Sequence, residues 1–125
     1  MAQIKSYDTF QNVKDHIKKG RILSKGAELT VSSAGAITVT DSYHLVKGAT
    51  DQDALTDILG GTQAGQVLVL QNADDSKDVV VTHGAGKIVL AGSANVTLDK
   101  PDDNITLIYT GSKWLQIAAT SIAND

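Results

Sequence analysis

Residues 78–98 read DVVVTHGAGKIVLAGSANVTL, and the fold turns on what the centre of that run, THGAGK, does. A histidine, two glycines and a lysine in six positions have the look of a phosphate loop or of catalytic machinery. A loop that cradles phosphate follows a strand and opens a helix, because the helix N-terminus supplies N–H donors and a favourable dipole. No helical pattern follows here. Val79, Val80 and Val81 lead in and Ile88, Val89 and Leu90 lead out, so both flanks have the β-branched, apolar character of strands. The loop also lacks the spacing and the Ser/Thr of a P-loop. The sequence therefore predicts a β-hairpin in which Gly84 and Gly86 take the positive φ of a tight turn.

The same texture extends in both directions. RILS, ELTVSS, AITVTDSYHLV, QVLVLQN, DVVVTH, KIVLAG, NVTL, NITLIYT and KWLQIAA are short, rich in Val, Ile, Leu and Thr, and punctuated by Gly, Asn, Asp or Ser. That rhythm predicts an all-β sandwich or jelly roll of about eight short strands over residues 26–125. Pro101, in LDKPDDN, fits a turn. Two stretches read as helix instead. Ser6 or Asp8 can cap a helix over residues 8–19, with Phe10, Val13 and Ile17 on one face and Gly20 at its C-cap. In TDQDALTDILGGT, Thr50 or Asp51 can cap a turn or two, with Leu55, Ile58 and Leu59 as its apolar face and Gly60-Gly61 ending it.

At 125 residues the chain is one domain, with 42% hydrophobic but only 4% aromatic residues, so its core must be aliphatic. A thin aliphatic core gains from burial against copies of itself or a larger partner, which favours oligomerisation. There is no cysteine, hence no disulfide, thiolate nucleophile or Cys-ligated zinc. No apolar run approaches the ~20 residues needed to cross a bilayer, and the start lacks the apolar stretch of a signal peptide. The net charge of −3 is polarised: residues 1–25 carry six cations against two aspartates, and residues 26–125 carry five against twelve acids.

Chemistry-bearing residues do not assemble into a motif. His16, His44 and His83 share no metal-ligand spacing, and Asp51, Asp53 and Asp57 imitate a calcium loop but have Thr56 where it needs glycine. No metal, cofactor or catalytic residue is expected. His83, beside a glycine turn, reads as a hydrogen-bonding residue at a strand end or subunit interface. Tyr109 and Trp114 can form a sugar-stacking platform, although a lone Trp in alternating KWLQIA also suits the core. The basic start lacks the interleaved aromatics of a nucleic-acid binder. It suits docking onto an acidic protein surface, with Phe10, Val13 and Ile17 as apolar anchors and Lys14, Lys18, Lys19 and Arg21 steering approach, or else an ordinary packed helix with solvated lysines.

Residues 49–119 resemble a small β domain of tailed-phage virion proteins, found in tail-fibre tips, head fibres and capsid decoration or cement proteins. The resemblance is carried by Gly65, Leu68 and Leu70; by Val79, Val81, His83, Gly84, Gly86, Ile88, Leu90 and Gly92; and by Leu107, Ile108, Tyr109, Gly111 and Trp114. Lys87 departs from the Asn frequent in that pattern and places a charge beside His83. The resemblance implies a jelly-roll or sandwich module that assembles as a homotrimer and performs no catalysis. A basic anchor over residues 1–25 joined to one β domain leads to the expectation of a capsid decoration protein. It would be made in the host cytoplasm and located on the capsid exterior, bound to the major capsid protein through residues 1–25, with neither nucleic acid nor membrane as partner. The alternative expectation is a head- or tail-fibre module that contacts host surface glycan through His83, Tyr109 and Trp114.

Overall fold

The computed structural model describes residues 22–120. The helix expected over residues 8–19 lies outside them, and so do Phe10, Val13, Lys14, Ile17, Lys18, Lys19 and Arg21.

The described residues are almost wholly β. In chain order the strands are β1 (Leu29–Thr30), β2 (Ala36–Thr38), β3 (Tyr43–Lys47), β4 (Gln52–Leu55), β5 (Asp57–Leu59), β6 (Val67–Asn72), β7 (Asp78–Val81), β8 (Ile88–Val89), β9 (Val96–Leu98), β10 (Asn104–Tyr109) and β11 (Trp114–Thr120). One six-stranded sheet has the order β1-β3-β6-β10-β11-β8; β4-β7-β9 and β2-β5 form two smaller sheets. Burial alternates along the strands as a half-buried sheet requires: Leu68 and Leu70 of β6, Ile105 and Leu107 of β10, and Val79 and Val81 of β7 are fully enclosed, while their neighbours are not. All three sheets send side chains into one cluster that also takes in Val31, Val46, Leu55, Leu98 and Trp114. At roughly 1.5–3 kcal/mol per enclosed aliphatic side chain, this cluster is what drives the chain to fold.

The first half of the chain winds rather than zigzags. β1, β3 and β6 stack in parallel, as do β4 with β7 and β2 with β5. Parallel neighbours need a long crossover, usually a helix. Here β4 and β5 in the smaller sheets serve as the crossover from β3 to β6. The last strands reverse: β10 runs antiparallel to β6 and β11, and β9 antiparallel to β7, which closes the sandwich.

Two local expectations are corrected. The segment expected to form a short helix before Gly60-Gly61 forms β4 and β5. Thr50, expected to cap it, instead donates its N–H and hydroxyl to Asp53 at 2.7 and 3.0 Å, and the chain continues extended. A helix of one or two turns is marginal alone, whereas Leu55 pairs with Val81 and Ile58 with Ile37 on strands already in place. THGAGK turns through positive φ at Gly84 (+80°) and Gly86 (+56°), as expected, but it is no hairpin. β7 joins the three-stranded sheet and β8 the six-stranded one, so the loop carries the chain across the sandwich.

Candidate functional site

That crossing loop and the β10–β11 turn meet at one end of the molecule. The turn is a two-residue hairpin closed by the Thr110 N–H to the Lys113 carbonyl at 2.8 Å, with Gly111 at φ +105°. The Trp114 N–H donates to the Lys87 carbonyl at 2.7 Å and locks the two loops together. Between them lies a cleft of about 390 Å³ lined by His83, Gly84, Gly86, Lys87, Ile88, Val89, Ser112 and Lys113.

The loop is braced from behind. The Thr82 N–H donates to the Leu55 carbonyl, and the His83 N–H donates to the Asn95 side chain at 2.8 Å. Gly86 lies so close to the β4–β5 junction that a Cβ there would stand 2.3 Å from the Thr56 carbonyl oxygen. The Leu90 N–H donates to His83 Nδ1 at 3.0 Å. A ring nitrogen that accepts carries no proton, so in the neutral ring the proton sits on Nε2. His83 thus carries its donor at Nε2.

The other expected site residues separate. Trp114 has no exposed surface, and its indole N–H donates to the Ile58 carbonyl. The sugar-platform reading of Trp114 is therefore corrected to the core reading, because stacking on a ligand requires an open ring face. Tyr109 is half-buried, its ring 4.9 Å from that of Trp114 and tilted by 41°. A Cβ at Gly61 would meet the Tyr109 ring at 2.7 Å, so the tyrosine is clamped rather than free. Of the three residues expected to contact glycan or a neighbouring subunit, His83 lines the cleft. Lys113 and Ser112, which the sequence reading did not single out, join it. Their signal was present as a polar residue and a cation directly after Gly111, mirroring Gly86-Lys87.

His44 is fully buried and saturated. Its Nδ1–H donates to the Ala27 carbonyl at 2.7 Å, and Nε2 accepts the N–H groups of Thr40 and Asp41 at 3.1 Å each. Asp103, also buried, accepts the N–H groups of Asp99 and Lys100 and shapes the turn around Pro101. Both are structural staples.

The carboxylates with displaced titration lie elsewhere. Asp53 is held below the ordinary aspartate range first by the Thr50 N–H it accepts, and Asp74 first by the Ser76 hydroxyl. Asp78 is pushed upward, first by partial burial and then by Asp99. It begins β7, five residues from His83 and so about 16 Å away along an extended strand, too far to orient the imidazole. Among the described residues no three His, Asp or Glu side chains cluster as metal ligands, and no helix is long and apolar enough to cross a membrane.

Residues 25–115 match the family described as the phage depolymerase C-terminal beta sandwich domain. No curated protein matches the chain.

Proposed function

The chain belongs to the phage depolymerase C-terminal beta sandwich domain family, and from that premise we propose that it is a non-catalytic module of a bacteriophage virion that meets the host's surface polysaccharide. The observation that supports this best is the braced pair of loops around the cleft. They present donors on a rigid scaffold, with His83 tied to Leu90 and no carboxylate in the lining. A hydrolase needs a positioned base or a carboxylate pair, whereas a binding surface needs only fixed donors. The test is a glycan array of bacterial surface polysaccharides beside a reducing-end assay on the same polymers. Binding without release of new ends supports the reading; release of ends overturns its non-catalytic half, and absence of all binding overturns the rest.

The capsid-decoration reading stands second, supported by the cationic excess and the Phe10, Val13 and Ile17 spacing of residues 1–25. In that reading this segment anchors the β body to the major capsid protein. Deleting residues 1–20 should abolish attachment to capsids while leaving the body folded. Full decoration by the truncated protein would overturn it.

In either setting the module works as a homotrimer. The support is a row of aliphatic side chains on the outer face of the six-stranded sheet. Leu115, Ile108 and Val67 stand side by side across β11, β10 and β6, and Ile117 beyond them is 57% exposed. A body with a thin aliphatic core gains most by covering such a row with copies of itself.

A further inference from the structure

The charges of the β body are distributed in a way that singles out the cleft. Residues 26–125 contain five lysines against twelve acids. Lys47 pairs with Glu28 at 3.4 Å, Lys77 stands near Asp53 and Asp74, and Lys100 stands near Asp78. The other two, Lys87 and Lys113, line the cleft and make no ion pair with any described residue. No carboxylate contributes to that lining.

Two ammonium groups on the loops that flank one cleft raise the positive potential there and favour an anion, with the Asp57 carboxylate set behind the loop at Gly86. The remaining wall is amphipathic. The His83 Nε2–H makes no hydrogen bond to a described residue, the Ser112 hydroxyl both donates and accepts, and the half-buried Val89 supplies apolar surface. Cations, neutral donors and apolar surface together match a sugar that carries a carboxylate on one edge, hydroxyls on another and C–H groups on its face. A bare phosphate would leave the apolar surface and the hydroxyl unused.

We propose that the cleft between the Gly84–Lys87 loop and the Ser112–Lys113 turn binds a carboxylate-bearing saccharide, with Lys87 and Lys113 taking the carboxylate and His83 and Ser112 the hydroxyls. The proposal rests on the reading of the chain as a host-polysaccharide contact. Both lysine side chains are exposed and project from loops whose geometry is set by backbone hydrogen bonds, so they can be replaced without unfolding the body.

The experiment titrates the full chain with a tetramer of galacturonic acid, with maltotetraose and with inorganic phosphate, reading amide shifts of residues 83–89 and 110–114 and the dissociation constant. Lys87→Met with Lys113→Met is compared with Lys77→Met, and a thermal melt of each confirms the fold. The acidic tetramer should bind at the cleft, at least tenfold more tightly than maltotetraose. The paired change should lose at least tenfold, and Lys77→Met less than twofold. Equal binding of the neutral and acidic tetramers, phosphate binding as tight as the acidic tetramer, or an unchanged affinity in the paired variant overturns the cleft assignment. In that case a positive glycan array on the same variant shows that the host-polysaccharide reading survives it. A wild-type chain that binds neither tetramer and scores negative on the array overturns both.

Discussion

The Trp114 amide and the Lys87 carbonyl are joined at 2.7 Å, so the residue that begins the last strand also fixes the loop that crosses the sandwich. Core and cleft are therefore one mechanical unit. Trp114→Ala removes the largest enclosed side chain and should cost about 3–5 kcal/mol. That corresponds to a fall in Tm on the order of 15 °C or more. Trp114→Phe retains the contact with Tyr109 and loses the indole donor to the Ile58 carbonyl, at about 1–2 kcal/mol. Thermal melts decide it. If Trp114→Ala leaves Tm within a degree or two, the indole is not in the core.

His44, in β3, should matter far more than His83, in the loop after β7. His44→Leu leaves the Ala27 carbonyl and the N–H groups of Thr40 and Asp41 without partners in a fully enclosed setting. At about 1–3 kcal/mol for each abandoned buried group, the total should reach about 3–5 kcal/mol after relaxation. His83→Ala frees one N–H, that of Leu90, near an accessible cleft and should cost about 1 kcal/mol. Urea denaturation of the two variants gives the comparison, and equal losses would contradict the assigned roles.

The glycine loop supplies a graded test of its own. Gly84 has positive φ with open space where a Cβ would go, whereas Gly86 combines positive φ with a Cβ position 2.3 Å from the Thr56 carbonyl oxygen. Gly84→Ala should therefore cost only the conformational penalty, about 1–2 kcal/mol. Gly86→Ala must also push the loop off the β4–β5 junction, and about 2–4 kcal/mol is expected. The reverse order in chemical denaturation would mean that the loop does not rest on that junction.

Much of this was legible in the sequence and some of it was not, for reasons that lie in particular residues. The alternation in VLVLQN and NITLIY marked β6 and β10 because one face of each is buried and the other is not. The turns at Gly84 and Gly86 were legible because those φ values disfavour other residues. DALTDIL misled because Leu55 and Ile58 are three apart, a spacing that fits a helical face as well as two strands divided by Thr56. What decides between them is the edge that β2 and β7 offer, and that is a tertiary fact. The partners of β7 and β8 were hidden for the same reason. The cleft escaped notice because Lys87 and Lys113 lie 26 positions apart, and only the Trp114–Lys87 contact brings their loops together.

Acid should act on the body in two opposed ways. Asp53 and Asp74 titrate below the ordinary value of 3.8 because local N–H and hydroxyl donors favour the charged form. Their contribution is complete above that value and disappears as pH falls beneath it, since the unfolded chain then binds protons first. Asp78 titrates above 3.8, so the folded state takes up its proton first on acidification. Its burden is absent at low pH and grows as pH rises through the interval above 3.8. Asp53→Asn with Asp74→Asn should lower Tm at pH 7 and flatten its decline below pH 3.8. Asp78→Asn should raise Tm at pH 7 and leave the most acidic values unchanged. A Tm profile of the three proteins from pH 2 to 7 checks both signs, and a fall in Tm for Asp78→Asn at neutral pH would show that its carboxylate is stabilising.

The outer face of the six-stranded sheet provides the test of assembly. Leu115 and Ile108 are paired across β11 and β10, with Val67 continuing the row on β6. Nothing charged interrupts that row, so a cation placed in it would face the apolar row of the next copy with no partner, a costly arrangement. Ile117→Lys changes a side chain that is already 57% exposed, so the body itself should lose no more than about 0.5 kcal/mol. If copies meet on this face, light scattering should report a trimer for the wild-type chain and a monomer for Ile117→Lys at the same concentration, with equal far-UV spectra. Leu115→Lys, within the row itself, should dissociate the trimer at still higher concentration. A wild-type chain that is monomeric at tens of micromolar, or a variant that stays trimeric, would place the contact between copies elsewhere or remove it.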